Sequence, residues 1–413
     1  MKINGQITLS GDKSISHRAL MISSISKGVS RISNLCNSRD VQSTIACLKS
    51  CGADIDKDGP DYLVRSNTLS DPLEPLNCGN SGTTIRLLVG LLAGCGIKAE
   101  LYGDSSLMSR PMDRVINPLK EMGADIIFRD NRIILRKSAI KSTSIDNKIP
   151  SAQVKSCIIL AGIGSQSHIT VNESHDTRDH TERMIEFFSK ESVISDNRRI
   201  VIEGHTLGSE NLIIPGDISK ASFLIACACL APQSDLIIQD VLINRRRTGF
   251  INSLKKMGAD IEVYNKKVRH NESVADIRIK YNGQLKNINI ISSETVRMID
   301  EIPILAVIAS FSKGVAIING IKELRVKESD RVNSIAYNLK AMSCDVRESG
   351  DLMMIKGRKY LYNTKIKTFS DHRIAMAFYI ASFFSKGKMV LDDMDCIGIS
   401  FPDFFDKIKE VSS

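Results

Sequence analysis

Two kinds of apolar pattern alternate along the chain. The first has helical spacing and ends on a small residue: Leu48-Lys49-Ser50-Cys51-Gly52-Ala53-Asp54, Leu119-Lys120-Glu121-Met122-Gly123-Ala124-Asp125, Leu254-Lys255-Lys256-Met257-Gly258-Ala259-Asp260 and Leu339-Lys340-Ala341-Met342-Ser343-Cys344-Asp345. Each predicts an amphipathic helix that stops near Gly and turns into a strand. A degenerate copy lies at 183–190 and a terminal one at 404–408. The second pattern is a small-residue apolar helix led by polar and basic residues, with copies beginning near Ser16, Thr83, Ser151, Ile218, Asp300 and Asp371, about 70 residues apart. These helices stop at Gly28, Gly94, Gly164, Pro232, Gly314 and Gly387. Pairs of strand-like runs split by turn residues follow the first pattern, as at 126–135 around Asp130-Asn131. The unit is therefore strand, helix, strand, helix and two strands, and six copies with this period fit α/β subdomains better than a solenoid. The sixth copy lacks its closing strands, while residues 2–9 form a strand outside any copy. Placing that strand in the C-terminal half gives two three-unit domains, 13–215 and 1–12 plus 216–413, with crossover hinges near 11–13 and 215–217.

Composition changes this picture little. With 413 residues, 42% hydrophobic and 25% charged, the chain is long enough for two such domains to bury cores. Its longest apolar runs fall short of the ~20 residues of a membrane span, and no basic segment with a long apolar core opens the chain. A cytoplasmic protein without membrane contact is expected. Ten cysteines without a Cys-x-x-Cys pair and seven scattered histidines offer no zinc spacing, so the thiols read as reduced and structural. A net charge of +9 admits nucleic acid, an acidic surface or small anions, but 5% aromatic residues and no Trp disfavour base stacking. Small anionic substrates fit best.

The candidate chemistry collects where the small-residue helices begin. Ser10-Gly11-Asp12-Lys13-Ser14-Ile15-Ser16-His17-Arg18 places lysine, hydroxyls and arginine at a helix start, where free N–H groups and the dipole favour an oxyanion. A capped helix with solvated charges has the same pattern. Asn77-Cys78-Gly79-Asn80-Ser81-Gly82-Thr83-Thr84-Ile85-Arg86 repeats the theme without the Gly-Lys-Ser/Thr of a nucleotide loop. Arginine, hydroxyl and amide groups recur at Ser109-Arg110-Pro111, at 150–156 with Ser151 and Gln153, and at 177–183 with Arg178 and a capping-box pattern. His180 reads as a local hydrogen-bond partner. In the second half, Asp300 and Glu301 precede an apolar helix that either could cap or beside which either could act as a base. Leu324 to Arg331 enters a helix on which Lys327 and Arg331 would share a face with Glu328 alongside. Asp371-His372-Arg373 repeats the order of acid then arginine. Lys13, Arg18, Arg110, Arg178, Lys327, Arg331 and Arg373, with Asp300 and Glu328, would suit two anionic substrates and proton transfer between them.

Taken together these motifs resemble the enolpyruvyl transferases over essentially the whole chain, and among them the branch acting on shikimate 3-phosphate. The residues that carry the resemblance are Gly11 to Arg18, Gly79 to Thr83 with Arg86, Ser109-Arg110-Pro111, Pro215-Gly216-Asp217-Ile218-Ser219, Leu324 to Arg331, Asp371-His372-Arg373 and Phe401-Pro402. The stretches 151–156 and 177–182 are similar to the family's second bacterial class. The resemblance implies an α/β fold of two domains, each an inside-out α/β barrel of three βαβαββ repeats, with the active site in the inter-domain cleft. It implies transfer of the carboxyvinyl group of phosphoenolpyruvate to the 5-hydroxyl of shikimate 3-phosphate, through a tetrahedral intermediate and with release of phosphate. A monomer is expected, with no metal, no organic cofactor and no nucleic-acid partner. By position, Lys13, Ser14, Arg18, Ser151, Gln153, Arg178, Asp300 and Lys327 would hold shikimate 3-phosphate. Lys13, Asn80, Gly82, Arg110, Gln153, Arg331 and Arg373 would surround phosphoenolpyruvate. Asp300 would take the hydroxyl proton, Glu328 would manage the proton at C3, and Lys13 would neutralise the bridging oxygen. Three positions depart from common patterns: Ile399 for a lysine, Lys220 for a small residue and Glu323 for an asparagine. Two alternatives stand beside this reading. One is enolpyruvyl transfer to a UDP-linked amino sugar, a reaction associated with Lys-Asn in place of Lys13-Ser14. The other is an RNA-binding or RNA-end-processing protein of related repeats.

Overall fold

The computed structural model describes residues 1–65, 68–196 and 198–412. Among these residues the strands form five four-stranded sheets and one two-stranded sheet. The four-stranded sheets share one plan. An entry strand pairs in parallel with the strand beyond the first helix, as Leu76–Asn77 does with Ala99–Tyr102. The closing pair then folds back antiparallel, as Arg132–Leu135 and Ile126–Arg129 do. Their hairpin turns at Asp130 and Asn131, with φ of 52° and 54°, the left-handed pair that a tight hairpin requires.

Parallel neighbours need a crossover, and the small-residue helices supply it. They are Lys13–Ile25, Gly82–Gly94, Ala152–Ser165, Ile218–Leu230, Ile302–Phe311 and His372–Ser382. Most of their residues are buried, whereas Asp113–Glu121 buries only the stripe Val115, Ile116 and Leu119. The small-residue helices therefore form the interior of each unit. Sheets lie outside with alternate residues turned in, as along Val29–Ser33. Close approach of the inner helices depends on glycine: a Cβ on Gly90 would lie 2.2 Å from the carbonyl oxygen of Cys157, and one on Gly94 2.4 Å from that of Ala161.

The chain divides into two compact units. A C-terminal unit contains Met1–Leu9, Pro215–Lys267 and Ser273–Ser413, and an N-terminal unit contains Ser10–Ile214 and Val268–Glu272. Two entry strands pair away from the helix that follows them in sequence. Asn4–Thr8 runs parallel to Asp235–Leu242 in the C-terminal unit, and Leu212–Ile213 runs parallel to Val29–Ser33 in the N-terminal unit. The last repeat ends as the two-stranded pair Lys365–Ile366 and Val390–Leu391. Among the described residues no helix is long and apolar enough to cross a membrane. All ten cysteines are unbridged, nine of them buried.

Candidate functional site

In the N-terminal unit the helix starts gather around Gly82–Gly94. Asp12 caps Lys13–Ile25 by accepting from the Ile15 amide at 3.0 Å, and Lys13 Nζ lies 2.7 Å from Asp40 Oδ2. The Asp40 carbonyl accepts from Thr84 Oγ1 at 3.2 Å, and Thr84 Oγ1 lies 2.7 Å from the hydroxyls of both Thr44 and Ser81. Ser81 caps the helix, accepting from the Thr84 amide at 3.1 Å. Ahead of that cap, Asn80 Oδ1 accepts from Arg110 Nη2 at 2.6 Å while Asn80 Nδ2 donates to Asp104 at 2.7 Å. One turn into the helix, Arg86 Nη1 donates to Gln153 Oε1 at 2.7 Å, and Gln153 Nε2 donates to Thr83 Oγ1 at 3.0 Å. Gly82 is where these groups meet. A Cβ there would lie 3.2 Å from Arg110 Nη1 and 3.4 Å from Arg86 Nη1. Two guanidiniums over bare backbone at a helix N-terminus suit a phosphate or carboxylate.

Arg18 plays an inward part. It is 3% exposed and bonds through Nε to Thr181 Oγ1 at 2.7 Å, through Nη2 to Ser156 Oγ at 2.6 Å and through Nη1 to the Ser14 carbonyl at 2.8 Å. Burial draws its pKa down to about 10 against the pull of Glu182 and Asp12, and the nearby Arg178 pushes the same way as burial. Arg18 thus braces Ser14 and Ser156 and senses the charge of Arg178. Ser151 stands at the N-cap of Ala152–Ser165 without a side-chain capping bond. Behind Lys13, burial and then Lys13 and Arg18 hold the His17 pKa well below its usual value, with Nδ1 2.7 Å from Thr44 Oγ1.

In the C-terminal unit the candidates surround Asp300. Its Oδ1 lies 3.8 Å from Lys327 Nζ and 3.5 Å from Arg331 Nη1, and its carbonyl accepts from Arg373 Nη1 at 3.0 Å. Arg331 is buried and bidentate on Asp371, with Nε donating at 2.8 Å and Nη2 at 3.2 Å, and its Nη2 also meets Glu328 at 2.5 Å. Burial works against the Arg331 charge, but Asp371 and Glu328 outweigh it and raise the pKa above the ordinary arginine value. Burial likewise pushes Asp371 up, yet Arg331 holds that carboxyl below its usual range. Asp371 also caps His372–Ser382 by accepting from the Arg373 amide at 2.9 Å, which sets Arg373 next to Arg331.

Four local expectations give way to tertiary contacts. Lys327 and Arg331 share no helix face, because Lys327 is extended (φ −88°, ψ −154°) and the helix Arg331–Ala341 begins after a cap from Asp330 to the Asn333 amide at 3.0 Å. Both side chains nonetheless reach Asp300. Glu301, the N-cap residue of Ile302–Phe311, makes no side-chain cap and is buried, while Asp300 faces cations. The capping box at 177–182 does not form, since Glu182 pairs with buried Lys155 at 2.7 Å and Asp179 makes no side-chain cap. His180 hydrogen-bonds, but with a distant partner rather than a local one: its Nδ1 lies 2.6 Å from Glu272, 92 residues along the chain. Ile399 ends the short 3-10 turn Asp395–Ile399, and Lys220 is buried with Nζ 5.2 Å from the centroid of the Phe401 ring.

Sequence reasoning does not single out Asp40 as the partner of Lys13, Arg86 as the partner of Gln153, or Arg247, which is 2% exposed and donates to Ser219 Oγ at 3.0 Å. Arg86 carries a signal, since it stands one turn beyond a glycine-rich helix start. Nothing in the run Arg245-Arg246-Arg247 tells which arginine turns inward. Among the described residues no group of three or more His, Cys, Asp or Glu is placed to hold a metal ion.

Residues 1–408 match the family model described as EPSP synthase (3-phosphoshikimate 1-carboxyvinyltransferase). A 3-phosphoshikimate 1-carboxyvinyltransferase of Thermodesulfovibrio yellowstonii is 42% identical over 412 residues, covering 98% of this chain and 96% of its own length. One of Thermoanaerobacter pseudethanolicus is 40% identical over 408 residues, with the same two coverages of 98% and 96%. A solved EPSP synthase from Acinetobacter baumannii aligns with a TM-score of 0.87 at 33% identity, covering 100% of this chain and 96% of that one.

Proposed function

We propose, from the fact that the chain belongs to the EPSP synthase family, that it transfers the enolpyruvyl group of phosphoenolpyruvate to the 5-hydroxyl of shikimate 3-phosphate and releases phosphate. The observation that carries this reading is Asp300, a carboxylate set 3.5 Å and 3.8 Å from two cations that can themselves hold a phosphorylated substrate. Asp300 takes the proton of the 5-hydroxyl as that oxygen attacks C2 of phosphoenolpyruvate, while Glu328 delivers a proton to C3. A tetrahedral adduct results. The Glu328 carboxylate then takes a proton back from C3, which re-forms the double bond as the C2–O bond to phosphate breaks, and Lys13 neutralises the departing bridging oxygen. Ser14, Arg18, Ser151, Gln153, Arg178 and Lys327 hold shikimate 3-phosphate together with Lys13 and Asp300. Asn80, Gly82, Arg110, Gln153, Arg331 and Arg373, again with Lys13, hold phosphoenolpyruvate. We place this enzyme in the cytoplasm as a monomer that needs no metal or organic cofactor. The UDP-sugar and RNA readings are not favoured by the similarities, which run to EPSP synthases over nearly the whole chain.

The test is release of inorganic phosphate from phosphoenolpyruvate. It should require shikimate 3-phosphate, continue in a chelator and ignore added RNA. Failure of shikimate 3-phosphate both to turn over and to raise the melting temperature would overturn the reading. In the same assay Asp300→Asn should bind both substrates yet lose roughly 10²- to 10⁴-fold in turnover, and undiminished turnover would remove the base assignment.

A further inference from the structure

We propose that Glu301 is a positioning residue for phosphoenolpyruvate, setting the guanidinium of Arg373 through a brace made with Ser219 and Arg247. The inference rests on the reading of Arg373 given above and names what holds that arginine in place. Glu301 follows Asp300 directly but turns the other way and is 1% exposed. A single oxygen, Oε1, carries its contacts. It accepts from Ser219 Oγ and lies 3.9 Å from Arg373 Nη1 and 4.0 Å from Arg247 Nη2. Arg247 Nη2 in turn donates to Ser219 Oγ at 3.0 Å, so the serine hydroxyl joins carboxylate and guanidinium. Oε2 is buried and has no hydrogen-bond partner among the described residues.

A carboxylate half-satisfied in this way is a poor stabiliser, because its desolvation is offset only by two contacts near 4 Å and one hydroxyl. Its geometry is informative for the same reason. Among the described residues, the hydrogen bond and ion pair of the Arg373 guanidinium, to the Asp300 carbonyl at 3.0 Å and to Glu301 at 3.9 Å, both fall on Nη1. The Nε–Nη2 edge is then the one presented to a planar carboxylate, the geometry of bidentate recognition. Asp371 holds the backbone end of Arg373 at 2.9 Å and Glu301 steers the other end. Ser219 belongs to the first turn of Ile218–Leu230, so the brace ties three helix starts of the C-terminal unit to one guanidinium.

Glu301→Gln keeps the volume and a partner for Ser219 while removing the charge that draws Arg373. It should raise KM for phosphoenolpyruvate on the order of tenfold and leave KM for shikimate 3-phosphate unchanged. Its effect should be less than additive with Arg373→Lys, because both act on one contact. An unchanged KM for phosphoenolpyruvate, an equal rise in both KM values, or full additivity with Arg373→Lys overturns the proposal. If Glu301→Gln does not fold, Ser219→Ala removes only the hydroxyl link and should shift the same KM in the same direction by a smaller factor; no shift there is equally decisive. Wild-type protein that releases no phosphate with both substrates would defeat the functional reading itself, which is a different result from an active enzyme indifferent to Glu301.

Discussion

His17 sits one residue from Arg18 and one helical turn from Lys13, and its ring stays neutral because burial and both cations oppose a proton. The unfolded chain has no such constraint and binds a proton near the ordinary value of 6.5. Below that value the unfolded state therefore takes up a proton that the folded state refuses. The stability His17 contributes is present above pH 6.5 and is lost as pH falls toward its depressed folded value. The loss is at most about 1.4 kcal/mol per pH unit. His17→Gln keeps a polar partner for Thr44 and removes the titration. Urea unfolding over the pH unit below 6.5 should therefore show a shallower slope for the variant than for the wild type. His270, whose pKa burial also lowers, is common to both proteins and cancels in the difference. Equal slopes would mean that His17 is not held neutral.

At the scale of elements, the site is built where two glycine-lined helices cross. Arg86 on Gly82–Gly94 and Gln153 on Ala152–Ser165 bridge the first turns of the pair at 2.7 Å, and Gly90 and Gly94 let the same helices touch further along. With the carbonyl of Cys157 only 2.2 Å from an added Cβ, Gly90→Ala cannot be absorbed by a side-chain rotation and must push the helices apart. The variant should lose roughly 1–3 kcal/mol of stability. Because the displaced helix carries Gly82 and Arg86, KM for phosphoenolpyruvate should rise with it, and a stability loss with no change in KM would separate the crossing from the site. This dependence on small residues explains why the inner helices are legible in sequence. Their runs of Gly, Ala, Ser and Cys recur with the period of the fold, and the starts expected near Thr83, Ser151 and Asp371 fall at Gly82, Ala152 and His372. Caps are harder to read, since Glu182 has the right type and spacing to cap a helix and instead pairs with a lysine contributed by another. Local spacing does not encode what lies behind a side chain, and for the same reason the inward turn of Arg247 and the contacts of Glu301 are invisible until the helices are packed.

At the scale of the whole molecule, the chain passes from one compact unit to the other between Leu9 and Ser10 and again between Ile214 and Pro215, and the short segment Val268–Glu272 also belongs with the N-terminal unit. The expectation of hinges near both 11–13 and 215–217 comes from the strand at 2–9 that stands outside the repeats, whereas the returning strand Leu212–Ile213 is too short to give a periodic signal by itself. The pairing has a direct consequence for stability. Asn4–Thr8 pairs along its length with Asp235–Leu242, so removing residues 1–9 strips the entry strand from a sheet of the C-terminal unit and leaves the N-terminal unit's sheets complete. Amide exchange in the truncated protein should therefore accelerate in Asp235–Leu242 and its antiparallel neighbour Glu272–Lys280, while Val29–Ser33 and Asp61–Arg65 stay protected. Leu212→Asp, which places a charge at a position 2% exposed, should do the reverse, exposing Val29–Ser33 and sparing Asp235–Leu242. If either change opens all four strands together, the two units unfold as one cooperative block and the exchanged strands do not mark separable halves.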